Sequence, residues 1–81
     1  MKVDVQLFAR ARDLAGAPKV EVEIPESGKV SDLKQALEAR FPELSGLIPN
    51  LLIAVDMNYA DDQTDLHSTS QVACFPPVSG G

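Results

Sequence analysis

Apolar and polar residues alternate in two short stretches near the start of the chain. Val3, Val5 and Leu7 alternate with Lys2, Asp4 and Gln6, a period of two that predicts a half-buried strand over residues 2–9. Val20, Val22 and Ile24 alternate with Glu21 and Glu23 and predict a second strand. Residues 10–18 read as a connection, with Leu14 as a buried anchor and Gly16 and Pro18 as punctuation. Residues 25–28 turn the chain. The period then lengthens. Leu33, Ala36, Leu37 and Phe41 fall at helical spacing, with Ser31 as the expected N-cap, Asp32 suited to the first turn, and Pro42 ending the pattern. Leu44, Leu47 and Ile48 read as a short irregular turn over one end of the core. The apolar run from Leu51 to Val55 predicts a buried strand. Asp56-Met57-Asn58-Tyr59 predicts a hairpin turn, with Asn58 as the residue of positive φ. Residues 61–70 are polar and loop-like apart from Leu66, and Gln71 to Phe75 predicts a final strand running into the C-terminal tail.

The order strand, strand, helix, strand, strand suits an α+β fold, a small mixed sheet with one main helix across one face. This order resembles the ubiquitin-like β-grasp, in which the last strand lies centrally and launches the tail from a rigid element. The 81 residues are read as one β-grasp domain, 1–75, followed by an extended tail, 76–81. No apolar run approaches membrane-spanning length, and Met1-Lys2-Val3-Asp4 lacks a signal-peptide core, so no membrane partner is expected. A single cysteine cannot form an internal disulfide and points to a cytoplasmic, reducing location.

The net charge of −5 argues against a nucleic-acid partner. Every Lys and Arg lies at or before Arg40, where seven acids balance them. Glu43, Asp56, Asp61, Asp62 and Asp65 then carry the whole excess. An acidic surface near the tail would steer the chain toward a basic partner; the same charge also serves solubility.

The chain shows no catalytic constellation. His67 is the only histidine, reads as an exposed loop residue, and has no metal-ligand spacing around it. Cys74 has no basic neighbour in sequence to activate it and reads as a core residue. Asp61, Asp62 and Asp65 lack the spacing and glycine of a calcium loop. No bound cofactor is expected.

The distinctive chemistry lies at the end, Phe75-Pro76-Pro77-Val78-Ser79-Gly80-Gly81. Two prolines hold the backbone extended and remove two amide donors. Two glycines can enter a tunnel too narrow for other residues. The candidate reactive group is the Gly81 carboxylate. A carboxylate is a poor electrophile until activated, for example as an acyl-adenylate. No ATP-binding motif is present, so a partner would have to activate it. A sulfur nucleophile would then leave a thiocarboxylate, and an amine would leave a conjugated modifier.

Three segments carry a family resemblance: residues 7–16 (LFARARDLAG), Val30-Ser31-Asp32-Leu33, and the ending from Val72 to Gly81. Over essentially its whole length the chain resembles the small subunits of molybdopterin synthase, a family of ubiquitin-like sulfur carriers. The resemblance implies that a ubiquitin-activating-type adenylyltransferase uses ATP to adenylate Gly81, and that a sulfur donor protein then supplies the thiocarboxylate. It implies that the large subunit of molybdopterin synthase receives the tail (Pro76, Pro77, Val78, Ser79 and Gly80) in its active site. There sulfur passes to cyclic pyranopterin monophosphate to build the dithiolene. The implied assembly is a heterotetramer, in which the carrier alone is not catalytic. Phe75 is implied as a partner-binding anchor; its alternative is a core aromatic. A carrier for another pathway, such as thiamine biosynthesis, and a ubiquitin-like modifier share the Gly-Gly end. Two positions depart from the family pattern. Asp56 stands where Asn is frequent, and His67-Ser68-Thr69-Ser70-Gln71 lacks a usual glycine before the last strand.

Overall fold

A computed structural model describes residues 1–76; the tail positions Pro77, Val78, Ser79, Gly80 and Gly81 lie outside the described residues. The strands are β1 (Lys2–Leu7), β2 (Lys19–Glu23), β3 (Leu52–Val55), β4 (Asn58–Ala60) and β5 (Val72–Phe75). The helices are α1 (Ala9–Ala15) and α2 (Val30–Arg40), with 3₁₀ turns at Pro42–Leu44 and Ile48–Asn50. The strands form one five-stranded sheet in the order β2-β1-β5-β3-β4. β1 runs antiparallel to β2 and parallel to β5, and β3 runs antiparallel to both β5 and β4. This is the mixed-sheet, ubiquitin-like arrangement expected from the element order, with the last strand at its centre.

Alternation in the sequence becomes a two-faced sheet. Val3 and Val5 on β1, Val20 and Val22 on β2, and Val72 and Cys74 on β5 all point inward and are buried. Helix α2 lays Val30, Leu33 and Leu37 across them, each at 0% exposure. Burying a side chain of this size contributes about 1.5–3 kcal/mol. Leu44 and Ile48 from the 3₁₀ turns close one end of the core, and Leu66 is buried as well. The opposite sheet face is not covered by either helix.

Several expectations change. Residues 10–18 are not a plain connection. Residues 9–15 form α1, whose buried residue is Ala11, while Leu14 is only half-buried. Gly16 ends the helix in the left-handed region (φ 78°) and donates its N–H to the Arg12 carbonyl at 2.9 Å. The N-cap of α2 is Lys29, not Ser31. The Asp32 carboxylate accepts the Lys29 N–H at 2.8 Å, one half of a capping box. The next two orphan amides, of Val30 and Ser31, donate to the carbonyls of Thr64 and Asp62 at 3.0 and 3.1 Å. The polar loop of residues 61–65 thus finishes the helix.

β3 is not buried on both faces: Ile53 is buried, but Leu52 is 45% exposed. The hairpin turn is the pair Asp56-Met57, with φ of 50° and 72°; Asn58 already belongs to β4, paired with Val55. Positive φ at both central residues matches the twist of the flanking strands. β4 therefore adds a fifth strand to the four that the pattern predicts.

The two departures from the family pattern keep sound local geometry. The Asp56 carboxylate accepts the Gln71 N–H at 2.9 Å, and the Asp56 N–H donates to the Gln71 carbonyl at 2.8 Å. An oxygen acceptor is what that position needs, and Asp supplies one. In the turn before β5, the His67 N–H donates to the Ser70 hydroxyl at 2.9 Å and the Ser70 N–H donates to the His67 carbonyl at 3.0 Å. None of those residues has positive φ, so this turn has no need of glycine.

Candidate functional site

The ladder registers define the open face of the sheet. Gln6 pairs with Ala73, Ala73 with Ala54, and Ala54 with Tyr59, giving one outward row across four strands. One step nearer the tail, Leu52 pairs with Phe75. On the other side of β5, extending the β1–β5 register by one residue sets Phe8 beside Phe75. Their rings stack with centroids 4.8 Å apart and planes 10° apart. Phe8, Phe75 and Leu52 therefore form an apolar row across β1, β5 and β3. Phe8 is 39% and Leu52 45% exposed.

Phe75 lies outward and half-buried, so it is not a core aromatic. The row sits at the root of the tail, because Pro76 follows Phe75 directly. Beyond it, Tyr59 and Met57 extend the apolar area along β4 and its turn, at 77% and 93% exposure. Away from the tail the face becomes charged, with Lys19 near Asp4 at 3.5 Å and Lys2 near Glu21 at 4.0 Å. An apolar patch bounded by charge on an otherwise solvated face suits burial by another protein surface. Phe8, Leu52 and Tyr59 are not candidates from sequence alone. The signal that marks them is an apolar residue where alternation or a turn calls for a polar one.

Other sequence candidates lie elsewhere. Pro76 is described, half-buried, directly after β5; Pro77, Val78, Ser79, Gly80 and Gly81 lie outside the described residues. His67 is exposed in its turn. The acidic second half is not a uniform negative surface. Asp62 and Asp65 meet Lys34 and Lys29, both at 2.7 Å, and Asp61 accepts the Gln63 N–H at 2.9 Å. Contact with Lys29 holds the Asp65 carboxyl below its ordinary value and raises Lys29. Among the described residues, no group of three or more His, Cys, Asp or Glu is placed to hold a metal ion. Among the same residues, no helix is long and apolar enough to cross a membrane.

Cys74 is at 0% exposure on the inner face, one residue before Phe75. Burial pushes its thiol up to about 12, outweighing the smaller lowering by the Lys34 charge. It is therefore protonated and enclosed at neutral pH. Iodoacetamide is expected to leave the native chain unmodified over a time that alkylates the unfolded chain completely, as read by intact mass. Equal rates in the two states would mean that β5 opens readily. The folded thiol keeps its proton to higher pH than the unfolded one. Stability should thus fall as pH rises from about 9 toward 12, and fall less steeply in Cys74→Ala.

The model of the ThiS family matches residues 5–81, from the fourth residue of β1 through the tail. The chain belongs to the ThiS family. Two relatives are named molybdopterin synthase sulfur carrier subunit. The Arabidopsis thaliana protein is 30% identical over 81 residues, covering all of this chain and 84% of that protein. The Drosophila erecta protein is 34% identical over 84 residues, covering all of this chain and 92% of that protein. Solved structures agree with the sheet and helix. SAMP1 from Haloferax volcanii, a small archaeal modifier protein, superposes with a TM-score of 0.88 at 26% identity over all of both chains. A Pyrococcus furiosus protein named for subunit 1 of molybdopterin converting factor gives 0.85 at 32% identity, over 96% of this chain and 99% of that one.

Proposed function

We propose that this ThiS-family chain is the sulfur carrier subunit of a molybdopterin synthase, with Gly81 as its reacting terminus. The observation that carries the reading is the apolar row Phe8–Phe75–Leu52 on the central part of the sheet, set at the root of the tail. A partner that covers this row receives the tail at a fixed origin. The remaining residues then span about 3.3–3.6 Å each into its active site. The row is the docking element, and the tail is the delivered group.

The chemistry follows from the terminus. A Gly81 carboxylate oxygen attacks the α-phosphate of ATP held by a ubiquitin-activating-type adenylyltransferase, and pyrophosphate leaves. A nucleophilic sulfur at the oxidation level of sulfide, supplied by a donor protein, attacks the acyl carbon; the C–S bond forms, AMP leaves, and the thiocarboxylate remains. The charged carrier moves to the large subunit, where sulfur is passed to cyclic pyranopterin monophosphate to build the dithiolene. The carrier supplies no acid, base or metal to these steps; its partners supply pockets and positioning. The buried Cys74 thiol does not compete for the activated terminus.

The test is the intact mass of the chain after incubation with ATP, a sulfur donor and the adenylating enzyme of its host. A gain equal to exchange of one oxygen for sulfur, mapped to Gly81, is expected. No change with an enzyme active on another carrier would overturn the reading. The similarity to SAMP1 supports a second reading, a protein modifier. The same acyl-adenylate attacked by a lysine amine gives an isopeptide bond. Conjugates joined through Gly81, with no thiocarboxylate, would establish that reading instead.

A further inference from the structure

Ala9 has φ of 52°, in the left-handed region, at the junction between β1 and α1. That conformation is disfavoured for any residue carrying a Cβ, because the Cβ crowds the following carbonyl. The Ala9 side chain is exposed, so no packing contact rewards it. The chain is fixed on both sides. Leu7 is buried, with its N–H on the Pro18 carbonyl at 2.8 Å, and Ala11 is at 0% exposure. Between them Phe8 remains extended (φ −125°, ψ 153°) and projects outward. The chain must then reverse within two residues to bring Ala11 back into the core. A single left-handed residue achieves this, and it leaves the Phe8 ring stacked on Phe75.

We propose that the left-handed backbone of Ala9 is a positioning element for the docking face: it locks Phe8 onto Phe75, so Ala9 sets partner affinity without touching the partner. The inference rests on the docking role of the Phe8–Phe75–Leu52 row given above. It makes the backbone angle the determinant, not the methyl group. Residues that tolerate positive φ should therefore replace Ala9 freely, and β-branched residues should not.

The experiment measures affinity for the purified large synthase subunit by calorimetry, together with Phe8–Phe75 ring NOEs in the free chain. Ala9→Gly and Ala9→Asn are expected to bind within about twofold of wild type and keep the NOEs. Ala9→Val is expected to lose about tenfold in affinity and the ring NOEs, on the scale of a lost aromatic pair. In a Phe8→Ala background, Ala9→Val should cause no further loss. Wild-type affinity for Ala9→Val overturns the inference, as does an equal loss with and without Phe8. Wild-type affinity for both Phe8→Ala and Phe75→Ala instead overturns the docking role itself. Should Ala9→Val not fold, the wild-type chain decides: scalar couplings giving negative φ at Ala9, or absent Phe8–Phe75 NOEs, overturn the inference.

Discussion

Adding one alanine after Gly81 is expected to abolish thiocarboxylate formation and leave the fold unchanged. The new peptide bond turns the Gly81 carboxylate into an amide, which cannot attack ATP. The new terminal carboxylate lies about 3.3–3.6 Å further along the chain. Misplacing a reacting group by about 1 Å already costs on the order of 100-fold in rate, so a loss of at least that size is expected. The fold has no stake in this change. The inward-facing core ends at Cys74, and Phe75 closes the last strand. Thermal unfolding should therefore match the parent chain while intact mass shows no sulfur gain. Full sulfur loading of the extended chain would sink the carrier reading.

Replacing Phe75 by alanine is expected to weaken binding to the large subunit by about 30-fold or more, the scale of an aromatic hot spot of about 2 kcal/mol. Phe75 sits between Phe8 and Leu52 on the outer face, so its ring is available to a partner. The stability loss should be smaller, about 0.5–1.5 kcal/mol, because the aromatic pair is lost without opening the core. Calorimetry of binding and denaturant unfolding on one preparation separates the two effects. Unchanged affinity with a lowered midpoint would make the stack a brace for the sheet and nothing more. The opposite split is expected for Leu33→Ala. Its side chain is fully buried under the sheet and remote from the outer row, so stability should suffer and affinity of the folded chain should not.

The sequence-level departures from the family pattern have local answers. Asp56 serves as the oxygen acceptor for Gln71, and Ser70 closes the turn before β5 without a left-handed residue. Both lie where β3, β4 and β5 are joined, so the launch of the central strand is preserved.

Alternation alone determined β1, β2 and the inner face. Period two leaves only one way to bury Val3, Val5, Val20 and Val22 together. Helical spacing, closed by Pro42, likewise determined the buried face of α2. Where signals were short or shared, tertiary structure decided. Helix α1 is seven residues long with a left-handed start, too brief for periodicity to show, and it is held by the burial of Ala11. The start of α2 depends on carbonyls of residues 62 and 64, which no local pattern brings near. The continuous apolar run of β3 could not reveal that Leu52 points outward, because a face is assigned only when the neighbouring strand fixes the register. The candidate site divides along the same line. The Gly-Gly end is legible as composition and position, since the chemistry proposed for it needs no fold. Of the proposed docking row only Phe75 is legible, through the family resemblance, because Phe8, Phe75 and Leu52 lie far apart in sequence. Only the parallel pairing of β1 with β5 and the antiparallel pairing of β3 with β5 set them side by side.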